Sequence, residues 1–292
     1  MTANLFTIDA QRWEEPPAPG LADQAIAALE SGHVLFLPKL RFDLQPAELG
    51  FLNPDTVHGS KNVSYSPATG RVGGTQAQGA ELDALRELLS RFSRATLRLA
   101  GDLLPRYRTA LRQGRTSLRP VEVAGRVSSW RADDTRLHVD TFPSTPTRGH
   151  RILRVFSNIN HAGQPRVWRV GEPFDAIARR FAPSLRAPLW GSRAALYAVR
   201  VTKSMRTPYD HYMLQLHDRM KADSRYQAES EQFTCSFPAG STWMAYTDQV
   251  PHAALSGIHQ LEQTFYLPVS ALRDEASAPL RVLERELGRR LA

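Results

Sequence analysis

Short runs of alternating apolar and polar residues dominate the second half of the chain. Such alternation is typical of half-buried strands, whose side chains point to opposite faces in turn. A stretch with helical spacing at about 172–228 interrupts the runs. The pattern favours an all-β barrel or double-sheet jelly roll with helical additions. The predicted strands are VEVAGRVSSW, RLHVDTF, RILRVFSNIN, RVWRV, EQFTCSF, STWMAYT, HAALSG and LEQTFYLPV.

The first 120 residues have a mixed pattern. LADQAIAALESG has helical spacing, HVLFLP predicts a strand, and residues 48–79 are loop-like. A helix or helical pair is predicted from about Glu81 to Arg112, with leucines along one stripe. Because no low-complexity linker divides the chain, we expect a single domain over 1–292. Its parts are a mixed α/β portion at 1–120, a β core at 121–270 and a C-terminal helix at 271–292.

The C-terminal segment APLRVLERELGRRLA predicts an amphipathic helix with Leu280, Val282, Leu283 and Leu287 on one side. An apolar stripe of this kind packs on a sheet or lies in a membrane interface. Packing on the sheet is the favoured interpretation, and membrane attachment stays an alternative.

The net charge of +8 comes almost wholly from arginine, since lysine occurs only at positions 39, 61, 203 and 221. Guanidinium groups suit bidentate binding of carboxylates and phosphates, although a coding bias towards arginine gives the same composition. The sequence has no known nucleic-acid-binding motif and no basic run interleaved with aromatics, so an anionic substrate or an anionic membrane face fits the charge at least as well as nucleic acid.

The remaining composition restricts the class of protein. The single Cys235 excludes an intramolecular disulfide framework and a cysteine-rich zinc site. The N-terminus lacks a secretory signal pattern, and no apolar stretch reaches the length of a membrane span. We therefore expect a cytoplasmic protein, with peripheral contact at a membrane left open.

The stretch LHVDTF places a histidine and an aspartate two residues apart in a β-prone run. In a strand, His138 and Asp140 point to the same face. His252 opens a late predicted strand and supplies a third ligand from a distant part of the chain. These three residues predict a facial triad of two histidines and one carboxylate, whose open positions suit a non-haem Fe(II) oxygenase. An ordinary hydrogen-bonded pair at His138 and Asp140 is the simpler alternative.

An oxygenase of this type that uses 2-oxoglutarate needs a cation for the distal carboxylate of the cosubstrate. The strand after His252 offers none, so the nearest candidate is Arg154 on RILRVFSNIN. The alternation puts Arg154 on a polar face and Leu153 and Val155 on a core face. Gln263 and Thr264 on the late strand are expected to assist with hydrogen bonds.

The run HVDTFPSTPTRGHRILRVFSNIN, followed by VWRVGEPF and by DQVPHAALSG with LEQTFYLPV, resembles the Kdo hydroxylase family. The resemblance implies a double-stranded β-helix core, Fe(II) held by His138, Asp140 and His252, and the cosubstrates 2-oxoglutarate and O₂. It implies hydroxylation of C3 of 3-deoxy-D-manno-oct-2-ulosonic acid (Kdo) in the lipid A–inner core of lipopolysaccharide. The substrate would be an anionic Kdo–lipid A glycolipid, met at the inner face of the inner membrane.

The implied substrate directs attention to basic and aromatic residues near the metal ligands. GRVSSWRADDTR leads into the ligand strand, and HGSKNVSYSP resembles a lid over a site. His211 and His217 on the predicted insertion are expected to be surface or packing residues. The expected substrate contacts are Arg126, Trp130, Arg131, Lys61, Asn62 and Tyr65.

Two other functions fit the same pattern. One keeps the iron site and changes the substrate to a protein side chain or small metabolite, since JmjC-type hydroxylases place the cosubstrate cation similarly. The other is a non-catalytic cupin-like sugar- or lipid-binding module whose histidines and aspartate are structural. The oligomeric state does not follow from the sequence.

Overall fold

The computed structural model describes residues 5–59, 61–126 and 128–292. Its strands are β1 (Leu5–Thr7), β2 (Val34–Leu37), β3 (Val63–Tyr65), β4 (Val72–Gly73), β5 (Arg112–Arg119), β6 (Arg151–Asn158), β7 (Arg166–Gly171), β8 (Gln232–Phe237), β9 (Thr242–Tyr246), β10 (His252–Ser256) and β11 (Gln260–Leu267). Its α-helices are α1 (Leu21–Glu30), α2 (Gly79–Leu103), α3 (Phe174–Phe181), α4 (Ser192–Ala198), α5 (Pro208–Ala222), α6 (Ser224–Glu229) and α7 (Pro279–Leu287).

Two sheets form the core of the fold. The larger sheet has the order β1-β2-β9-β6-β11-β5-β3-β4, and the smaller has the order β10-β7-β8. All pairings are antiparallel except that of β1 with β2. The prediction of a mainly-β jelly-roll core flanked by helices is confirmed.

Aromatic side chains fill the space between the two sheets at one end. The Phe237 and Trp243 rings stack at 4.1 Å between centroids, and Phe156 lies edge-on to Trp168 at 4.9 Å. These rings come from both sheets, so they fix the separation of the sheets next to the predicted site.

The other face of the larger sheet is covered by helices. Leu85, Leu88, Leu89 and Phe92 of α2 are fully buried. Leu280, Val282 and Leu283 of α7 are buried in the large apolar cluster under the sheet. The C-terminal helix therefore packs on the fold as favoured, and its apolar stripe is not free for a membrane.

The structure corrects the predicted secondary structure in three regions before Arg131. VEVAGRVSSW, apart from Val127, which lies outside the described residues, forms turns instead of a strand. Glu122 accounts for this, because its carboxylate accepts hydrogen bonds from the backbone N–H groups of Val123, Ala124 and Gly257. Residues 112–119 form β5, although the predicted long helix reached Arg112 and the next predicted strand began only at Val121. The segment 48–79, predicted to be loop-like, contains β3 and β4.

Candidate metal centre

His138 and His252 lie opposite each other in an isolated antiparallel bridge. Each backbone N–H donates to the other residue's carbonyl, at 3.1 and 2.9 Å. LHVDTF thus forms one bridge instead of the predicted full strand, yet its extended backbone keeps His138 and Asp140 on one side. The bridge brings the two imidazoles to 4.7 Å between ring centroids.

Backbone carbonyls fix the orientation of both rings. Nδ1 of His138 donates to the Arg136 carbonyl at 2.8 Å, and Nδ1 of His252 donates to the Val250 carbonyl at 2.9 Å. Because Nδ1 carries the proton, Nε2 of each ring presents a lone pair, as a metal ligand requires.

Asp140 completes a compact donor set. Its backbone N–H donates to the Thr247 carbonyl at 2.7 Å, which anchors the residue beside β9. Its Oδ1 lies 3.8 Å from His138 Nε2. One potential ligand atom from each of His138, Asp140 and His252 lies within 4.8 Å of the others. The structure therefore brings together the three residues predicted as a facial triad.

The protonation states of these residues also suit a cation. Burial lowers the pKa of His138 well below its ordinary value, and burial likewise lowers the pKa of His252. Burial alone would raise the pKa of Asp140, but the neighbouring Arg154 and the two histidines hold it far below its usual range. Two neutral imidazoles and one carboxylate result, which is the donor set of non-haem Fe(II) sites.

A cavity of about 60 Å³ lies between the two sheets and is bordered by the triad. The Trp168 ring from β7 stacks on His252 at 5.0 Å between centroids. Arg154 and Phe156 line the cavity, while Leu153 and Val155 face the helix-covered core, so the predicted faces of β6 are confirmed. The lining residues are Arg119, Asp134, His138, Asp140, Arg154, Phe156, Arg166, Trp168, His252, Ala254, Gln260 and Glu262.

Arg154, the residue predicted to bind the cosubstrate, is paired with two carboxylates of the protein. Arg154 Nη1 donates to Asp140 at 2.8 Å, and its Nη2 lies 2.7 Å from Glu262 Oε1. Arg119 donates to the same Glu262 through Nε at 3.0 Å and Nη2 at 3.2 Å. Arg154 is thus a partner of a triad residue in this structure, and its predicted role as cosubstrate clamp stays a prediction.

Arg166 is the cavity-lining arginine without a carboxylate partner among the described residues. Its Nη1 donates to the Gly257 carbonyl at 2.7 Å, and its Nε has no hydrogen-bond partner there. Burial, with Arg119 nearby, lowers the pKa of Arg166 to about 10. A buried cation with unused donors suits a bound carboxylate. Arg166 was not among the predicted site residues, although its spacing from Trp168 in RVWRV indicates a shared face.

Gln263 and Thr264 on β11, which were expected to assist in cosubstrate binding, are not among the cavity-lining residues. Gln263 points to the face opposite Glu262, where its Oε1 accepts a 2.6 Å hydrogen bond from Thr116. The structure thus removes Gln263 from the cavity and makes it a packing residue. Thr264 is paired with Arg154 in the ladder but is not among the cavity-lining residues.

Lys61 and Arg126 meet at the edge of the cavity, on Asp134. Arg126 Nη2 donates to Asp134 at 2.7 Å, and Lys61 Nζ lies 3.4 Å from the same carboxylate while donating to the Ala132 carbonyl. Asn62 is half-buried next to Lys61. Tyr65, in contrast, is buried in the apolar cluster under α2, so its prediction as a substrate contact is wrong. Its position in β3, paired with β5, explains the burial.

A groove of about 670 Å³ runs along α5 and contains Trp130 and Arg131. The Arg131 guanidinium lies over the Trp130 ring at 4.2 Å and donates to Asp218 at 3.0 Å. His217, expected to be a surface or packing residue, lines this groove and packs edge-on against His138 at 5.4 Å between centroids. His217 therefore separates the groove from the triad.

A profile of the 3-deoxy-D-manno-oct-2-ulosonic acid (Kdo) hydroxylase family matches residues 12–290. This chain belongs to the Kdo hydroxylase family. No curated protein matches the chain. The family membership favours an enzyme over the non-catalytic binding module.

Solved Kdo hydroxylases have the same fold. The Kdo hydroxylase KdoO, described as a non-heme Fe(II) alphaketoglutarate dependent dioxygenase, was solved with cobalt(II). That structure matches with a TM-score of 0.97 and 49% identity over 99% of this chain and 97% of the other. A complex of KdoO with alphaketoglutarate and Fe(III) matches with a TM-score of 0.96 and 48% identity over the same shares. An apo structure of KdoO matches with a TM-score of 0.96 and 49% identity over 98% and 97%.

Proposed function

We propose that this Kdo hydroxylase is an Fe(II)- and 2-oxoglutarate-dependent dioxygenase that hydroxylates C3 of Kdo in the lipid A–inner core of lipopolysaccharide. One observation carries the proposal: His138, Asp140 and His252 converge beside a cavity lined by arginines. The nearly full-length similarity to KdoO, which was solved with Fe(III) and alphaketoglutarate, supports it.

The triad fits Fe(II) by its chemistry. Two neutral imidazole nitrogens and one carboxylate oxygen would hold the ion on one side and leave its other positions open to the cavity. When bound, Fe(II) couples the reduction of O₂ to oxidative decarboxylation of 2-oxoglutarate and hydroxylation of the substrate. The backbone carbonyls behind both Nδ1 atoms and the Arg154 guanidinium behind Asp140 keep the ligands oriented before the metal binds.

The cavity fits a dicarboxylate cosubstrate. Nε of Arg166 and Nε1 of Trp168 are buried donors without partners among the described residues, and both belong to cavity-lining side chains. A carboxylate would satisfy donors of this kind, which are costly to leave unpaired. We assign the distal carboxylate of 2-oxoglutarate to Arg166, with Arg154 placed beside the triad.

The groove along α5 fits an anionic sugar. Arg131, Arg206 and Arg219 line it, and the His217 ring lies between it and His138 of the triad. Arginine forks suit the carboxylate of Kdo and the phosphates of lipid A. Because the acyl chains of such a substrate stay in a bilayer, the enzyme would act at the cytoplasmic face of the inner membrane.

The experiment is succinate release from anaerobically Fe(II)-loaded protein with 2-oxoglutarate, O₂ and Kdo₂–lipid A. The expected result is substrate-dependent succinate and a lipid heavier by one oxygen, both lost in His138→Ala. His161→Ala is the matched control, since His161 is exposed and lines neither the cavity nor the groove. Succinate without lipid oxidation would retain the iron site and point to another substrate. Folded protein that binds no Fe(II) would overturn the triad.

A further inference from the structure

One stretch of the helical insertion exposes large apolar side chains. Of the eight large apolar residues that the described chain leaves exposed, six lie between Leu189 and Met205. Trp190 is fully exposed, and Leu189 and Val199 are 81% and 68% exposed. Clusters of exposed apolar residues mark interaction surfaces, whereas single ones are ordinary. We call residues 185–206 the docking segment.

The docking segment is strongly basic. The sequence contains no Asp or Glu between Asp175 and Asp210. Among the described residues, no Asp or Glu forms an ion pair with a lysine or arginine of the docking segment. These cations are Arg186, Arg193, Arg200, Lys203 and Arg206.

This combination fits the surface of an anionic bilayer. Apolar side chains and tryptophan insert at the level of the headgroups, and cations attract anionic lipids, each with about 1 kcal/mol near the surface. A protein partner of matching chemistry would need a large acidic face with an apolar centre. An anionic bilayer offers negative charge and an apolar interior over its whole surface. Among the described residues no helix is long and apolar enough to cross a bilayer.

Two hydrogen bonds tie the docking segment to the loop that leaves the triad. The Lys203 N–H donates to the Ser144 carbonyl at 2.9 Å, and Arg206 Nη2 donates to the Pro143 carbonyl at 2.7 Å. Pro143 and Ser144 lie three and four residues after Asp140 in the chain. Pro143 and Arg206 also line the groove that ends at His217, next to His138. The groove therefore opens beside the docking segment.

We infer that residues 185–206 dock the enzyme on an anionic membrane surface and hold the mouth of the groove at the headgroups. The inference rests on the proposed function for its purpose, since a lipid-anchored sugar would then reach the triad while its acyl chains stay in the bilayer. Binding to the membrane itself requires neither substrate nor metal.

The test is flotation of the full-length protein with vesicles of phosphatidylethanolamine and phosphatidylglycerol, compared with phosphatidylcholine vesicles. Leu189→Ser with Trp190→Ser should lower the partition coefficient on anionic vesicles by roughly tenfold or more. Arg200→Glu with Lys203→Glu should lower it similarly, and added salt should weaken binding of the wild type. Leu97→Ser is the matched control, because Leu97 is exposed on α2, outside the docking segment.

Several outcomes overturn the inference. One is equal vesicle binding by the wild type and both variants. Another is equal binding of the wild type to both kinds of vesicle at all salt concentrations. A wild-type dimer in sedimentation that the Leu189/Trp190 variant dissolves, without vesicle binding, would assign the surface to a second copy of the chain.

The same variants separate this inference from the proposed function. With a delipidated Kdo oligosaccharide, succinate release by the docking variants should equal that of the wild type. With Kdo₂–lipid A in anionic vesicles, succinate release by the docking variants should fall in proportion to their partition coefficients. Vesicle binding without any Kdo-dependent succinate would overturn the proposed function alone. Kdo-dependent succinate without vesicle binding would overturn the docking inference alone.

Discussion

Arg154 Nη1 donates a 2.8 Å hydrogen bond to Oδ2 of Asp140, the carboxylate of the facial triad. The other carboxylate oxygen, Oδ1, lies 3.8 Å from His138 Nε2. Arg154 itself is held by Glu262 from the neighbouring strand β11. The charge on Asp140 is therefore stabilised, and its rotamer fixed, by a residue outside the triad.

Arg154→Gln should weaken metal binding because Asp140 loses the partner that orients it. Loss of such an outer partner typically costs about 10- to 100-fold in metal affinity. Anaerobic titration with Fe(II) or Co(II) measures this affinity, and Arg115→Gln, an exposed arginine on β5, is the control. Unchanged metal affinity with a raised KM for 2-oxoglutarate would instead assign Arg154 to the cosubstrate.

Arg166→Lys should raise the KM for 2-oxoglutarate while metal affinity stays within twofold or so of wild type. The lysine keeps the charge but loses the planar fork that binds a carboxylate with two hydrogen bonds. A lost hydrogen bond to a charged group costs about 1.5–3 kcal/mol, or roughly 10- to 100-fold in KM. Initial rates of succinate release at varied 2-oxoglutarate concentrations measure it.

Arg169→Lys is the matched control for that substitution. Arg169 lies on the same strand and donates to the Thr135 carbonyl at 2.8 Å, outside the cavity-lining set. A KM for 2-oxoglutarate equal in the wild type and Arg166→Lys would remove Arg166 from cosubstrate binding.

The triad could be predicted because its information is local. Extended backbone puts residues two apart on one side, so His138 and Asp140 converge even though LHVDTF makes a single bridge. The alternation along β6 likewise identified the face of Arg154. His252 could be predicted because it opens an apolar strand. A facial triad also needs a second histidine besides His138 and Asp140.

The arginines of the cavity could not be predicted in the same way. Arg166 lines the same cavity as His252 only because β7 pairs with β10 in the register Val170 to His252. Glu262 meets Arg119 and Arg154 only because β11 lies between β5 and β6. Registers between distant strands are set by tertiary packing and leave little trace in local sequence. Tyr65 was misassigned for the same reason, since its strand pairs with residues about fifty positions away.

Gln263→Ala should destabilise the fold and leave the KM for 2-oxoglutarate unchanged. Gln263 accepts from Thr116 at 2.6 Å and donates to the Thr264 carbonyl at 2.7 Å, on the face away from the cavity. Leaving buried partners unsatisfied costs about 1–3 kcal/mol in the free energy of unfolding. Urea denaturation measures it, with exposed Gln11→Ala as the control. A raised KM with unchanged stability would return Gln263 to the site.

Glu262→Gln should make the stability of the protein less sensitive to acid. Burial alone would raise the pKa of Glu262, but Arg119 and Arg154 hold it below its ordinary value of 4.5. A carboxylate with a lowered folded-state pKa stabilises the fold fully above its unfolded pKa. It loses that contribution as the pH falls from about 4.5 through the folded-state pKa.

Two differences from the wild type are therefore expected in Glu262→Gln. At neutral pH the variant is less stable by about 3–5 kcal/mol, because two buried arginines lose a shared counterion. Below pH 5 its free energy of unfolding falls less steeply, since that carboxylate no longer takes up a proton. Urea denaturation at a series of pH values measures both, and Glu229→Gln, in an exposed pair with Arg225, is the control. Parallel pH profiles of the wild type and Glu262→Gln would contradict the role of Glu262 as the ionised partner of both arginines.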